Sequence, residues 1–164
     1  SNLKLANGFC PVVKFIENEV NVALGTDSAA SNNTLDLFSE IKSASLLAKA
    51  VSGDAASLDA HAALRMATIN GAKALAWDNE IGSLELGKQA DMIAVKIDSI
   101  SQQPLYNPAS QLVYTNSGSQ VSHSWVAGKM LLENRKLCTI NERSLIQTTE
   151  QWRKKIHPDH EHFD

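Results

Sequence analysis

VNVALGTDSAASNN, residues 20–33, is the stretch on which the reading of this chain turns. Val20, Val22 and Leu24 point one way and Asn21 and Ala23 the other, which is the period of a short β-strand over 20–24. Gly25 breaks the run, and Thr26, Asp27 and Ser28 stand at the strand's end. Small and polar residues follow, before a long helix that the pattern starts near Leu35. An acidic residue at the C-terminal end of a buried strand, ahead of a loop leading into a helix, is where α/β folds hold their chemistry. Asp is also a common turn former and helix cap. Position alone leaves both readings of Asp27 open.

Upstream, residues 1–8 read as a loop. Pro11 suits the first turn of a helix with Val12, Val13, Phe15 and Ile16 on its apolar side, ending near Asn18. Downstream, Asn33 or Thr34 is the expected cap of the long helix, with Asp36 in its first turn favoured by the helix dipole. Phe38, Ile41, Ser45 and Ala48 recur at helical spacing and predict its inner stripe; Ser52, Gly53 and Asp54 end it. A second helix is expected over 58–68 and a third over 71–76, capped by Asn70. From Ile81 the character changes. Gly82 and Gly87 bracket a turn region, SLELGKQAD, in which Asp91 is expected to hydrogen-bond. Strands are expected over 92–95, 111–115, 120–126 and 130–133, with turns at Ala127-Gly128 and Asn134-Arg135. A last helix is expected over 142–156. Asn141 is its cap, and Leu145, Ile146, Thr149, Trp152 and Ile156 form its apolar face.

Composition narrows the class. Of 164 residues, 43% are hydrophobic and 20% charged, the balance of a globular chain rather than a disordered one. A net charge of −3 without a basic stripe gives no nucleic-acid footprint. No apolar run reaches the roughly 18 residues of a membrane span. Two cysteines, Cys10 and Cys138, make no disulfide framework and are expected to be reduced, partly buried thiols. With no signal-peptide core in SNLKLANGF, the expected location is the cytoplasm.

GTDSAASNN, preceded by SNLKLANG and followed by LDLFSEIKSASLLAK, resembles the end of the catalytic barrel in the amidohydrolase superfamily. The branch it resembles is that of 5-methylthioadenosine/S-adenosylhomocysteine deaminases and triazine-type chlorohydrolases. LDAHAALRMATINGAKALAW and IGSLELGKQADMIAVKID match the same branch in the same order, the latter through its G-x-L-x-x-G-K-x-A-D pattern. The resemblance fades only over the last twenty or so residues. It implies an α/β fold: the last units of a (β/α)8 TIM-like barrel over 1–80, a small β-sandwich over 81–140, and a C-terminal helix and tail over 141–164. An eight-unit barrel alone takes about 200–250 residues. The expectation is therefore a part of such an enzyme, half of a split one, or a truncated homologue serving as a non-catalytic assembly module. Exposed apolar surface where further barrel strands would sit makes a homo-oligomer, or a missing N-terminal half, the expected partner.

The resemblance also implies a chemistry. Asp27 would be a metal ligand and proton shuttle beside one divalent metal, zinc by resemblance, with iron or manganese as alternatives. Metal-bound hydroxide would attack the amine-bearing carbon of a purine-type substrate and ammonia would leave. Triazine, guanine or cytosine substrates are the alternative within the branch. Ser28, Ser31 and Asn32 are candidate substrate contacts; equally they, with Asn33, could satisfy the loop backbone or cap the next helix. Many relatives carry glycine where this chain has Ser28. Asn2 and Lys4 belong to the loop motif and either shape the pocket or lie in solvent. His61 and His123 do not fall where the family keeps its metal histidines. His160-Glu161-His162 spells H-x-H, but after a helix and Pro158 rather than in a barrel strand. One carboxylate cannot hold a catalytic zinc ion, so this chain by itself is expected to lack deaminase activity.

Overall fold

The computed structural model describes residues 2–115 and 117–156. Helix α1 (Val12–Glu17) follows Pro11, and Asn18 closes it, its Nδ2 donating to Lys14 O at 2.8 Å. A short helix, α2 (Ala29–Asn32), interrupts what the sequence reads as a plain loop. The long helix α3 (Leu37–Ser52) starts two residues later than the sequence pattern suggests. Its cap is Asp36 rather than Asn33 or Thr34, because the Asp36 carboxylate accepts from Phe38 N at 3.0 Å and Ser39 Oγ at 2.7 Å. Gly53, at φ 70°, ends the helix.

Helix α4 (Ala60–Met66) is capped by Asp59, whose side chain accepts from Ala62 N at 2.8 Å. Helix α5 (Ile69–Ala74) contains Asn70 instead of being capped by it. The Asn70 side chain is used elsewhere, as described below. The core lies where α3 meets α4, and includes Ile41, Ala48, Leu58, Ala63 and Met66. Ser45 sits in the same stripe, fully buried, with its hydroxyl donating to Leu58 O at 2.8 Å and 2.8 Å from the Tyr114 hydroxyl. A polar group is tolerated in that core because it is bonded on both sides.

Tyr114 belongs to α6 (Pro108–Tyr114), where the sequence pattern predicts a strand over 111–115. The capping chemistry overrides the apolar run. Asn107 Oδ1 accepts from Ser110 N at 3.0 Å, and Pro108 takes the first helical position. Val113 of this helix is fully buried against α3 and α4, so a segment expected to be β-rich completes the helical layer.

The sheet is antiparallel, in the order β1 (Met92–Val95), β2 (Val121–Val126), β3 (Lys129–Glu133), β4 (Lys136–Leu137). Ala127 and Gly128 join β2 to β3, and Asn134 and Arg135 join β3 to β4, all four at positive φ. That is the two-residue hairpin geometry whose twist matches the strands. Asp91 bonds within its own turn through its backbone, its N–H donating to Gln89 O at 2.9 Å. Its Oδ1 accepts from Ala127 N at 2.6 Å, tying the start of β1 to the β2–β3 turn. Gly82, at φ 91°, lets the chain pass α5: a Cβ there would stand 2.7 Å from Ala72 Cβ.

Helix α7 (Glu142–Ile156) matches its expected span, with Asn141 Oδ1 accepting from Ser144 N at 3.0 Å. Its apolar residues Leu145, Ile146, Trp152 and Ile156 are exposed. Cys10 and Cys138 are exposed as well, not partly buried, because one lies on the loop before α1 and the other just beyond the two-residue edge strand β4. No helix among the described residues is long and apolar enough to cross a membrane.

Candidate functional site

Residues 20–24 form neither helix nor strand. A strand needs neighbours, and among the described residues the four paired strands all lie beyond residue 91. The segment is held instead by helices. Leu24 N donates to Met66 O at 3.0 Å, and Asn70 Nδ2 donates to Val22 O at 3.0 Å. Val22 and Leu24 pack against the α3–α4 core. These contacts carry the chain to Gly25 and fix where Thr26 and Asp27 emerge.

Asp27 is exposed and has φ 61°, in the left-handed region that Asp enters more readily than most residues. Its Oδ1 accepts from Ser28 N at 2.7 Å. The positive φ falls on Asp27 itself; Ser28 has φ −75°, so a glycine is not required there.

The residues after Asp27 mostly serve the loop. Ser28 precedes α2, and its hydroxyl lies 3.3 Å from Ser31 Oγ, which donates to Ser28 O at 3.1 Å. Asn32 is half-buried. Its amide donates to Thr26 O and to Glu40 Oε1, each at 2.7 Å. Asn33, at φ 62°, closes α2 and accepts from Lys4 Nζ through Oδ1, which fastens the loop around Lys4 to the loop around Asp27. Lys4 is thus exposed, yet engaged. Glu40 is the residue that sequence reasoning missed. Its signal was present: an acid in the first turn of the helix that follows the loop.

A cleft of about 410 Å³ opens beside this network, lined among others by Lys4, Phe9, Leu24, Asn32 and Glu40. It is mixed in character, with apolar side chains such as Phe9 and Leu24 beside the polar Lys4, Asn32 and Glu40.

The residues present do not make a metal centre among themselves. Asp27 is one carboxylate, and among the described residues no three His, Cys, Asp or Glu side chains cluster to hold an ion. His61 is exposed on α4. His123 lies on β2, its ring stacked on Trp125 at 5.5 Å between centroids and its Nδ1 3.0 Å from Ser122 Oγ. The H-x-H of His160 and His162 lies outside the described residues, as does His157.

Residues 1–131 match the family model of the amidohydrolase family. The chain belongs to the amidohydrolase family. A curated relative, 5-methylthioadenosine/S-adenosylhomocysteine deaminase of Teredinibacter turnerae, is 53% identical over 95% of this chain and 35% of its own length. The crystal structure of an adenosine deaminase from Xanthomonas campestris with bound zinc superposes with a TM-score of 0.93 at 47% identity, covering 96% of this chain and 36% of that one. Atrazine chlorohydrolase from Arthrobacter aurescens, complexed with zinc, gives a TM-score of 0.84 at 26% identity over 92% of this chain and 33% of that one. The chain thus spans about a third of the length of the amidohydrolases it matches. The family match takes in Asp27, the loop after it, the helical layer and β1 and β2.

Proposed function

We propose that this chain is part of a metal-dependent aminohydrolase that removes the exocyclic amine of a purine nucleoside. 5′-Methylthioadenosine and S-adenosylhomocysteine are its proposed substrates. The observation that carries the reading is the placement of Asp27 at the end of the segment 20–24, in a chain 53% identical to a deaminase of that name. In this reading 1–80 supplies the last units of a TIM-like barrel, 81–140 a β-sandwich layer, and 141–164 the terminal helix and tail. The site is completed by protein outside this chain.

Asp27 is the proposed metal ligand, with zinc the proposed ion, as in the two solved relatives. A divalent metal bound there would supply a Lewis acid that lowers the pKa of water. The carboxylate of Asp27 is an acceptor only, so its proposed part is to take up a proton and pass it on. Ser28 N donates to that carboxylate, and Asn32 holds the Thr26 carbonyl that precedes it. The loop around Lys4 is fastened to the loop around Asp27, and the 410 Å³ cleft, lined by Lys4, Asn32 and Glu40 but not by Asp27 itself, lies beside it. The proposed ligand is a small molecule, and the proposed location the cytoplasm.

The test is ammonia release from both nucleosides by the protein at the full length of its relatives. Asp27→Asn is expected to lower kcat by at least about 100-fold, the usual weight of a positioned acid–base group. The 164-residue chain alone is expected to release none. Full activity in Asp27→Asn, or activity in the short chain, would overturn the reading.

A further inference from the structure

We propose that Glu40 is a positioning residue for Asp27, acting through Asn32. The proposal rests on the reading of Asp27 as a catalytic group and adds the element that sets its backbone.

Asn32 has two amide hydrogens, and both are committed: one to Thr26 O and one to Glu40 Oε1, each at 2.7 Å. Thr26 O belongs to the peptide that joins Thr26 to Asp27. Rotation of that peptide plane about the N–Cα bond of Asp27 is the φ angle of Asp27, so pinning the carbonyl pins φ. That angle is 61°, in the left-handed region that residues with a side chain seldom adopt, so contacts from outside the residue help to hold it.

Glu40 adds a charged acceptor to the Thr26 carbonyl in fixing which way the Asn32 amide faces. A carboxylate accepts and does not donate, so only the NH2 of Asn32 can point at it. With the amide turned over, Asn32 Oδ1 would confront both the carboxylate and the Thr26 carbonyl. The bond to Glu40 is charge-assisted, hence stronger than a neutral one, and both side chains are half-buried, where competition from water is reduced. Glu40 itself is carried by the first turn of α3, whose stripe Ile41, Ser45, Ala48 is buried in the core. A rigid helix thereby sets an exposed loop residue through one amide.

Thr26-Asp27 is the only Thr-Asp step in this sequence. Labelling threonine carbonyls with carbon-13 and aspartate nitrogens with nitrogen-15 therefore gives a single correlated resonance pair. In Glu40→Ala that pair is expected to leave its wild-type position. In Glu40→Gln, whose amide oxygen still accepts from Asn32, it is expected to return most of the way. Asn32→Ala is expected to shift it as Glu40→Ala does, and the double variant to shift it no further. An unmoved pair in Glu40→Ala, or an added shift from Glu40→Ala in the Asn32→Ala background, would overturn the proposal. If Glu40→Ala does not fold, the Glu40→Gln and Asn32→Ala spectra decide: Glu40→Gln near wild type with Asn32→Ala displaced supports it, and any other pairing overturns it. In the longer protein Glu40→Ala is expected to lower kcat by about 10- to 100-fold with KM little changed, and Glu40→Gln to recover most of it. Should Asp27→Asn leave deamination intact, the functional reading fails while the resonance test of Glu40 still stands.

Discussion

Asn21 and Asn70 clasp one another's segments from 49 residues apart: Asn21 Nδ2 donates to Asn70 O, and Asn70 Nδ2 donates to Val22 O, both at 3.0 Å. The pair satisfies backbone and side-chain groups that a neighbouring strand would otherwise meet. It anchors the segment on which Asp27 is carried. Asn70→Ala leaves the half-buried Val22 carbonyl without that donor and is expected to cost about 1–2 kcal/mol. Asn21→Ala, at an exposed position, is expected to cost less. Urea denaturation midpoints at an unchanged m-value check both.

Asp36 rather than Thr34 begins α3. Asp36→Ala is expected to lower stability by about 1 kcal/mol, while Thr34→Ala stays within a few tenths. The same carboxylate would lie 2.7 Å from a Cβ at position 118, so Gly118→Ala is expected to destabilise as well. Thermal melts of the three variants separate these effects.

Gly82 and Gly87 have almost the same φ, 91° and 93°, but different surroundings. A Cβ at 87 meets nothing within 4 Å; one at 82 meets Ala72 Cβ at 2.7 Å and Ile69 Cα at 3.0 Å. Gly87→Ala is expected to carry only the strain of its positive φ, about 1 kcal/mol. Gly82→Ala adds an overpacking cost of about 1–3 kcal/mol. Equal destabilisation of the two variants would show that the contact with α5 is absent in solution.

Glu85 is held below the ordinary carboxyl value of 4.5, first by the hydrogen bond from Ser83 Oγ at 2.5 Å and then by Lys88, 3.4 Å away. A carboxyl with a depressed folded pKa stabilises above its unfolded value, and the contribution is lost as pH falls through the folded one. The acid limb for Glu85 therefore lies below pH 4.5. Its exposed side chain makes the effect on global stability small. Carbon-13 NMR titration is expected to show the Glu85 carboxyl moving upward in Ser83→Ala and also in Lys88→Gln. A wild-type titration at the free-glutamate value would contradict the arrangement.

Much of the chain is legible in its residue pattern because the signals are local. The stripe Ile41, Ser45, Ala48 needs only helical period, the turns at Ala127-Gly128 and Asn134-Arg135 need only positive φ, and the span of α7 needs only an Asn cap and an apolar period. The errors arise where a local signal has two outcomes. QLVYT reads as a strand until Asn107 and Pro108 are weighed as a helix start. Asn33, Thr34 and Asp36 can all cap, and only the observed bonds to Phe38 N and Ser39 Oγ choose among them.

By itself, the sequence determined the family, the helical stripes, the hairpin turns and the identity of Asp27 as the residue to watch, since each depends on residue type at short range. The tertiary structure alone decided that 20–24 is held by helices rather than by a sheet, that Asp27 and not Ser28 takes the positive φ, and that Glu40 and Lys4 fasten the loop from either side. Those contacts join residues 8 to 48 positions apart. Their formation depends on where α3, α4 and α5 pack, a property of the folded core that no short window of residues contains.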